Sequence, residues 1–275
     1  MEIIMPLQNK QNAVHPVAIF KQSWQIASKN LGRLGVIYLA FYLPLTILSL
    51  SPVVSSIPHQ KLTLAAVMWY LFLFLASSWG QIALLLSVDK ALGAQDYEIG
   101  QSVNQAKAFL VKFLILSLSV ALFAMGIILI ADIFVVLISV FLAPVNKILA
   151  ILGYCALFIT VLFTFVFFLL RWSLAGLICV LENLWPPAAL KRSFSLINKN
   201  INPVAGTYGL MILFYLAALL PLIIAGIWLG RSQGFHLGIT IYMTVINSVL
   251  MPFWVILTVA LYKKLKEGSE TNVHA

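Results

Sequence analysis

Residues 148–170 read ILAILGYCALFITVLFTFVFFLL, twenty-three consecutive positions without a charge. At 1.5 Å per residue, an α-helix of this length covers about 34 Å, enough to cross a hydrocarbon layer about 30 Å thick. Apolar positions do not alternate with polar ones, so a barrel strand is excluded, and a helix pairs every backbone N–H and C=O within its own segment. Outward from this stretch the same pattern recurs at 34–54, 62–88, 113–131, 204–229 and 237–262. The fold class predicted is therefore all-α: a polytopic membrane bundle of six transmembrane helices. Composition agrees, with 62% of residues apolar, 9% charged and a mean hydropathy of +1.03, whereas soluble domains are about a quarter charged. No polar stretch between the spans is long enough for a separate soluble domain, so residues 1–275 are expected to form a single integral membrane domain. Cys155 and Cys179 both lie in apolar sequence and read as packing residues rather than a disulfide framework. Residues 1–10 lack the basic, apolar and small-residue order of a cleaved signal, so the first span is expected to remain in the mature chain.

Orientation follows from the basic residues, which mark cytoplasmic segments. One set of segments holds Lys10, Lys21, Lys29, Arg33, Lys90, Lys107, Lys112, Lys191, Arg192, Lys199, Lys263, Lys264 and Lys266. The alternate loops hold only Lys61, Lys147 and Arg231, a ratio of thirteen to three with Arg171 unassigned. Both termini are thereby placed in the cytoplasm, and an odd number of spans would scatter the asymmetry. The central hairpin is less regular. From 113 to 143 the only charge is Asp132, and thirty-one helical residues run about 46 Å, beyond the hydrocarbon. Asp132 falls about 30 Å after Lys112, near the outer interface, so 133–143 would protrude, tilt or re-enter before Pro144.

A self-similar segment precedes each helical pair on the cytoplasmic side. Phe20, Ser23, Trp24, Ala27 and Leu31 align, by adding 79, with Ile99, Ser102, Val103, Ala106 and Leu110, and, by adding 170, with Leu190, Ser193, Phe194, Ile197 and Ile201. The first and third copies also share Lys21/Lys191, Lys29/Lys199 and Asn30/Asn200. Apolar positions fall on one helical stripe and lysines or amides on the other. Pro16 and Pro187 suit a first turn, and Asp96 with Glu98 gives the middle copy an acidic start. Three repeat units result, at about 15–90, 95–182 and 186–264, each an amphipathic helix in the cytoplasmic interface followed by two spans. The alternative is that these segments are merely the polar first turns of long transmembrane helices. Interruptions at 30–33 and 200–203 favour separate interfacial helices. Because each unit crosses twice, all three enter from one side, unlike the inverted repeats of many transporters.

Arg171, Trp172 and Ser173, then Val180, Leu181 and Glu182, then the run from Ala189 to Leu196 and the Lys199, Asn200 pair form a motif of about thirty residues. This stretch resembles the bacterial inner-membrane proteins of the YciC type, and the related membrane domain preceding the catalytic domain of some glycerophosphodiester phosphodiesterases. The resemblance implies a multi-span bacterial inner-membrane protein. It supplies no catalytic residues, and no phosphodiesterase domain is present in this sequence.

Polar groups at membrane depth are functional candidates, and each has a plainer reading beside it. Asp132 is the only acid inside an apolar run, or an interfacial aspartate at a helix end. Arg171 lies about 36 Å beyond Lys147, near the cytoplasmic face, and is not expected to meet Asp132. Glu182 is eleven residues from Arg171, about 16 Å along a helix, so those two touch only if the helix breaks; Lys191 and Arg192 are its expected partners. Gln81 and Asn247 either hydrogen-bond across helices or line a pathway. Pro44, Pro221 and Pro252 lie inside spans and allow kinks. His15, His59, His236 and His274 are dispersed without acidic or cysteine partners at ligand spacing, so no metal site is read, and no nucleotide loop, activated nucleophile or other cofactor site appears.

The net charge of +9 is accounted for by the cytoplasmic flanks, and nucleic acid is not an expected partner. The expected partners are membrane lipids, with anionic headgroups at Lys21, Lys29, Lys191, Arg192 and Lys199, together with a protein partner or a second copy of the chain. The sequence thus reads as a non-enzymatic membrane-organising protein. The alternative is a transporter or channel for a lipid or small hydrophobic molecule, which requires a cavity holding Gln81 or Asn247. An intramembrane enzyme is the third possibility, and no acid–base pair on one face serves it.

Overall fold

Among the described residues, the chain is helical wherever the sequence is continuously apolar. The computed structural model describes residues 15–49, 64–93, 98–142, 144–229 and 233–271, and contains no strand among them. Helices α1 (Pro16–Ser49), α2 (Leu64–Leu92) and α3 (Ile99–Leu137) come first, the last running on into a π-helical turn (Ile138–Leu142). Then follow α4 (Lys147–Trp172), α5 (Ala175–Leu181), α6 (Pro186–Lys199), α7 (Ile201–Leu229) and α8 (Gln233–Thr271). Among the described residues, five stretches are long and apolar enough to cross a membrane: Val67–Leu92, Ile99–Phe141, Lys147–Leu181, Ile201–Leu222 and Gly238–Ser269. They overlap five of the six expected spans. The remaining one, 34–54, starts inside α1, and its residues 50–54 lie outside the described residues. So do 62–63 of the second span, Lys10, Lys61, Asp96, Arg231, His59 and His274.

Two of the three expected interfacial helices are not separate. The first copy is the opening of α1 and the second the opening of α3, each continuous with the apolar residues after it. Asn30 does not interrupt α1, because its Nδ2 donates to the Ile26 carbonyl one turn back, at 3.0 Å. The third copy is a distinct helix, α6, which ends at Lys199. Pro203 explains the difference. A proline ring clashes with the carbonyl four residues earlier, here that of Lys199, and Pro203 is tolerated only in the first turn of a new helix. The aligned positions, Arg33 and Lys112, impose no such break. Of the segment 133–143, residues 133–142 continue the preceding helix and do not turn back into a re-entrant piece, while Ala143 lies outside the described residues. Beyond it, Asn146 caps α4, its Oδ1 accepting from the Ile148 and Leu149 amides at 2.9 and 3.3 Å.

Two compact units are distinguished. The first comprises Met1–Leu110 and Lys199–Ala275, and its described helices pack α1 on α8, α2 and α7, with α8 also against α2 and α7. Leu34, Ile37, Ile82, Val88, Phe253 and Ile256 are buried at its centre. Pro252 cannot donate to the Ser248 carbonyl, and that freed oxygen faces Gly35 of α1. A Cβ at Gly35 would sit 3.5 Å from it, an ordinary contact distance, so the two helix backbones lie close here without requiring glycine. Near Pro221, the Tyr242 hydroxyl donates to the Ala218 carbonyl at 2.6 Å. Gly80 of α2 is a tighter fit. A Cβ there would lie 2.8 Å from both Cβ and Cγ of Phe41. Gly80→Val should therefore lower stability by about 1–3 kcal/mol, measured by denaturant titration in detergent micelles; an unchanged midpoint would mean that α1 and α2 are not in this contact.

The second unit, Val111–Asn198, contains the rest of α3 with α4, α5 and α6. Its buried residues gather around α5, where Ala175, Leu177, Ile178, Cys179 and Val180 are enclosed. Phe123, Phe168 and Trp172 meet edge to face or tilted, at 4.6–5.1 Å between centroids. At the far end, Gly153 of α4 receives Ile138, and Ser139 shares a 2.8 Å hydrogen bond with Tyr154. The outward surface of α3 and α4 is apolar. Leu118, Ile128, Leu129, Phe158, Ile159 and Phe163 are each more than half exposed. Soluble monomers do not present contiguous apolar surface of this extent, and hydrocarbon is the solvent that suits it.

Candidate functional site

Among the described residues, polar groups converge in each unit. In the second unit the helix breaks at Ser173 and Leu174, and α5 delivers Glu182, Asn183 and Trp185 to the start of α6. Asn183 adopts a left-handed φ of 54°, a conformation asparagine tolerates better than most residues. Lys112 reaches this turn, donating to Asn183 Oδ1 at 2.6 Å and lying 5.5 Å from the centre of the exposed Trp185 ring. Tryptophan with a lysine beside it is a pairing typical of a membrane–water boundary. Glu182 pairs with Arg192 at 3.7 Å, one of its two expected partners.

Arg171 is the buried cation of this unit, only 8% exposed. Its Nη2 donates to Asn198 Oδ1 at 3.2 Å, and its guanidinium lies 3.5 Å from the centre of the Phe167 ring and 5.2 Å from that of Phe194. The Ser193 hydroxyl donates to the Arg171 carbonyl at 2.6 Å, tying α6 to the end of α4. Arg171 thus meets neither Glu182 nor Asp132. The latter is exposed on α3 and forms no ion pair among the described residues. Lys191 and Lys199 are exposed on α6, opposite its buried Ala189, Ser193, Leu196 and Ile197.

In the first unit, Lys21 and Lys29 are exposed on α1. Lys263 pairs with Asp89 at 2.8 Å, Lys90 donates to Gln105 at 3.1 Å, and Lys107 lies over Trp79. Deeper along α1 and α8 is a cavity of about 280 Å³, lined by Tyr38, Tyr42, Thr46, Thr240, Thr244 and Asn247 with two apolar neighbours. The Tyr38 and Tyr42 rings stack at 4.4 Å. Of the two intramembrane amides expected from the sequence, Asn247 lines this cavity, whereas Gln81 is exposed on α2 and is not among its lining residues. The cavity hydroxyls were not singled out. Their signal was the spacing of Tyr38, Tyr42 and Thr46 at i, i+4, i+8, and of Thr240, Thr244 and Asn247 at i, i+4, i+7, one polar stripe on each of two apolar helices.

Among the described residues no three of His, Cys, Asp and Glu gather as metal ligands, and both cysteines are free. The class defined by these helices, their apolar exterior and their interfacial Trp–Lys contacts is that of a multi-pass helical membrane protein. Comparison with protein-family models, curated proteins and solved structures finds no match to this chain.

Proposed function

We propose that the protein is a six-span inner-membrane protein of three repeated units, with both termini cytoplasmic, that organises the membrane by holding anionic lipid headgroups on its basic helical faces. The observation carrying this reading is α6, a helix with one face buried and with Lys191 and Lys199 exposed on the other. The repeat gains support from burial at equivalent positions. Ser23, Ser102 and Ser193 are fully enclosed, as are Ala27, Ala106 and Ile197, and the 170-residue shift also pairs buried Leu34 with Val204 and Tyr38 with Tyr208. A small residue at the serine position lets a neighbouring helix come close, a packing role independent of charge. The contacts joining Lys263 to Asp89 and Lys90 to Gln105 support a common side for those segments. Kinship with the YciC-type proteins belongs to this reading and rests on the motif around Arg171 and Glu182.

A lysine near an anionic surface contributes about 1 kcal/mol. Exchanging Lys21, Lys29, Lys191 and Lys199 together for glutamine should therefore reduce the preference for phosphatidylglycerol over phosphatidylcholine at least tenfold, read as lipid retained by the purified full chain from mixed nanodiscs. Arg192 is left in place because it is held by Glu182. Equal retention of the two lipids by the unaltered protein would remove the basis of the proposal. The cavity beside Asn247 favours a second reading, in which the chain binds or moves a lipid or small hydrophobic molecule between its helices.

A further inference from the structure

Asp132 stands at a depth that the hairpin of α3 and α4 leaves without compensation. Counted from Lys112 alone it falls near the outer interface, but the register of α3 against α4 puts it deeper. At the far end of the hairpin Ile138 packs on Gly153 and Ser139 bonds Tyr154; at the near end Phe123 meets Phe168 and Trp172. In this antiparallel arrangement Asp132 is level with Ile159 and Thr160, about 18 Å along α4 from Lys147 and about 18 Å from Arg171. Those two charges bound the uncharged run 148–170, which matches the hydrocarbon in length. Raising the hairpin until Asp132 reached the membrane surface would carry Ile133, Val136, Phe141, Ile148 and Ile151 into water, each more than half exposed. Seating 148–170 across the bilayer leaves fewer such side chains outside it, Val111, Ile115 and Leu118 at the opposite end. At the middle of the bilayer a carboxylate needs a partner, and its single methylene is too short to reach water as a lysine side chain does. Asp132 is exposed and forms no ion pair or hydrogen bond among the described residues. No lysine or arginine occurs in the other apolar runs, 34–54, 62–88, 204–229 and 237–262. A second copy, inserted in the same orientation, would therefore set carboxylate against carboxylate at this depth.

The surface around Asp132 has the form of a helix-docking seam. Leu122, Met125, Leu129, Asp132 and Val136 recur at alternating spacings of three and four, and the four apolar members are each more than half exposed. In a paired helix this is the a/d pattern, and a single polar position within it fixes the partner's register. We propose that this seam of α3 docks a transmembrane helix of a different protein, one that carries a lysine or arginine near its midpoint and pairs it with Asp132. The inference requires the chain to cross the membrane but not to hold anionic lipid. The test places the full chain in phosphatidylcholine liposomes with a synthetic leucine-rich helix of about 23 residues and reads association by energy transfer. With one lysine at its centre, the helix should associate about tenfold more tightly than with leucine there. A lysine moved six residues off centre, about 9 Å along the axis, should lose that advantage. Asp132→Leu should make the lysine and leucine helices equal, while the variant keeps the parent's unfolding midpoint because residue 132 is exposed. Asp132→Asn keeps the shape without the charge and should weaken the preference severalfold, which serves if leucine alters folding. Leu122→Ala combined with Leu129→Ala should weaken association of both helices severalfold. Equal association of the two helices with the parent chain, a preference unaltered in the folded Asp132 variants, or tighter binding of the off-centre lysine overturns the proposal. So does self-association of the chain alone that Asp132→Leu abolishes, which would make a second copy the occupant.

Discussion

Phe253→Ala should lower the unfolding free energy by about 3–5 kcal/mol, the largest loss expected from any single truncation in the first unit. Phe253 is completely enclosed. Its ring meets Phe20 at 5.2 Å, Trp24 at 5.5 Å and Phe214 at 5.7 Å, each edge to face, so one side chain joins α8 to α1 and α7. In a bilayer, moving an apolar side chain from lipid to protein gains little from exclusion of water, and the stabilisation comes from close contact. Alanine forfeits those contacts and leaves a hole that three helices cannot all collapse to fill. Phe253→Leu, which retains most of the volume, should lose less than half as much. Reversible denaturation in mixed micelles reads both variants, and equal midpoints for alanine and the parent would show that α1, α7 and α8 are not held at this point.

At Arg171 the order of two substitutions matters more than the size of either. Arg171→Lys should destabilise by about 3 kcal/mol, and by more than Arg171→Leu, although lysine keeps the charge. The guanidinium is buried against Phe167 and Phe194 with Asn198 Oδ1 as its hydrogen-bond acceptor. A flat, weakly hydrated cation suits that aromatic surround; a compact ammonium must shed tightly held water. Leucine removes the charge to be buried and keeps the Ser193 bond, which is made to the backbone of residue 171. Should lysine prove the milder change, the site would be using the charge itself, as an anion-binding group does, rather than the flat guanidinium against the rings.

The membrane character was legible because it depends on runs of residues and on their summed transfer energy. No tertiary contact is needed to see that 148–170 carries no charge, and α4 follows from it. The pairing of Glu182 with Arg192 was legible for a related reason: ten residues separate them across a short turn, so few conformations compete. The interfacial helices were harder. Apolar and basic stripes look alike on a separate helix and on the first turns of a long one, and the difference between α1 and α6 turned on Pro203, a steric feature standing against Arg33 and Lys112 at the aligned positions.

The sequence by itself determined that the chain is helical, that its helices belong in hydrocarbon, and where its basic flanks lie, because periodicity and transfer free energy are properties of local sequence. Only the tertiary structure decided that Arg171 lies against the rings of Phe167 and Phe194 rather than meeting an acid, and that Tyr38, Tyr42 and Thr46 line one cavity with Thr240, Thr244 and Asn247. Residues two hundred positions apart in the chain become neighbours through the packing of α1 on α8, and the spacing within either helix carries no information about the face its partner presents.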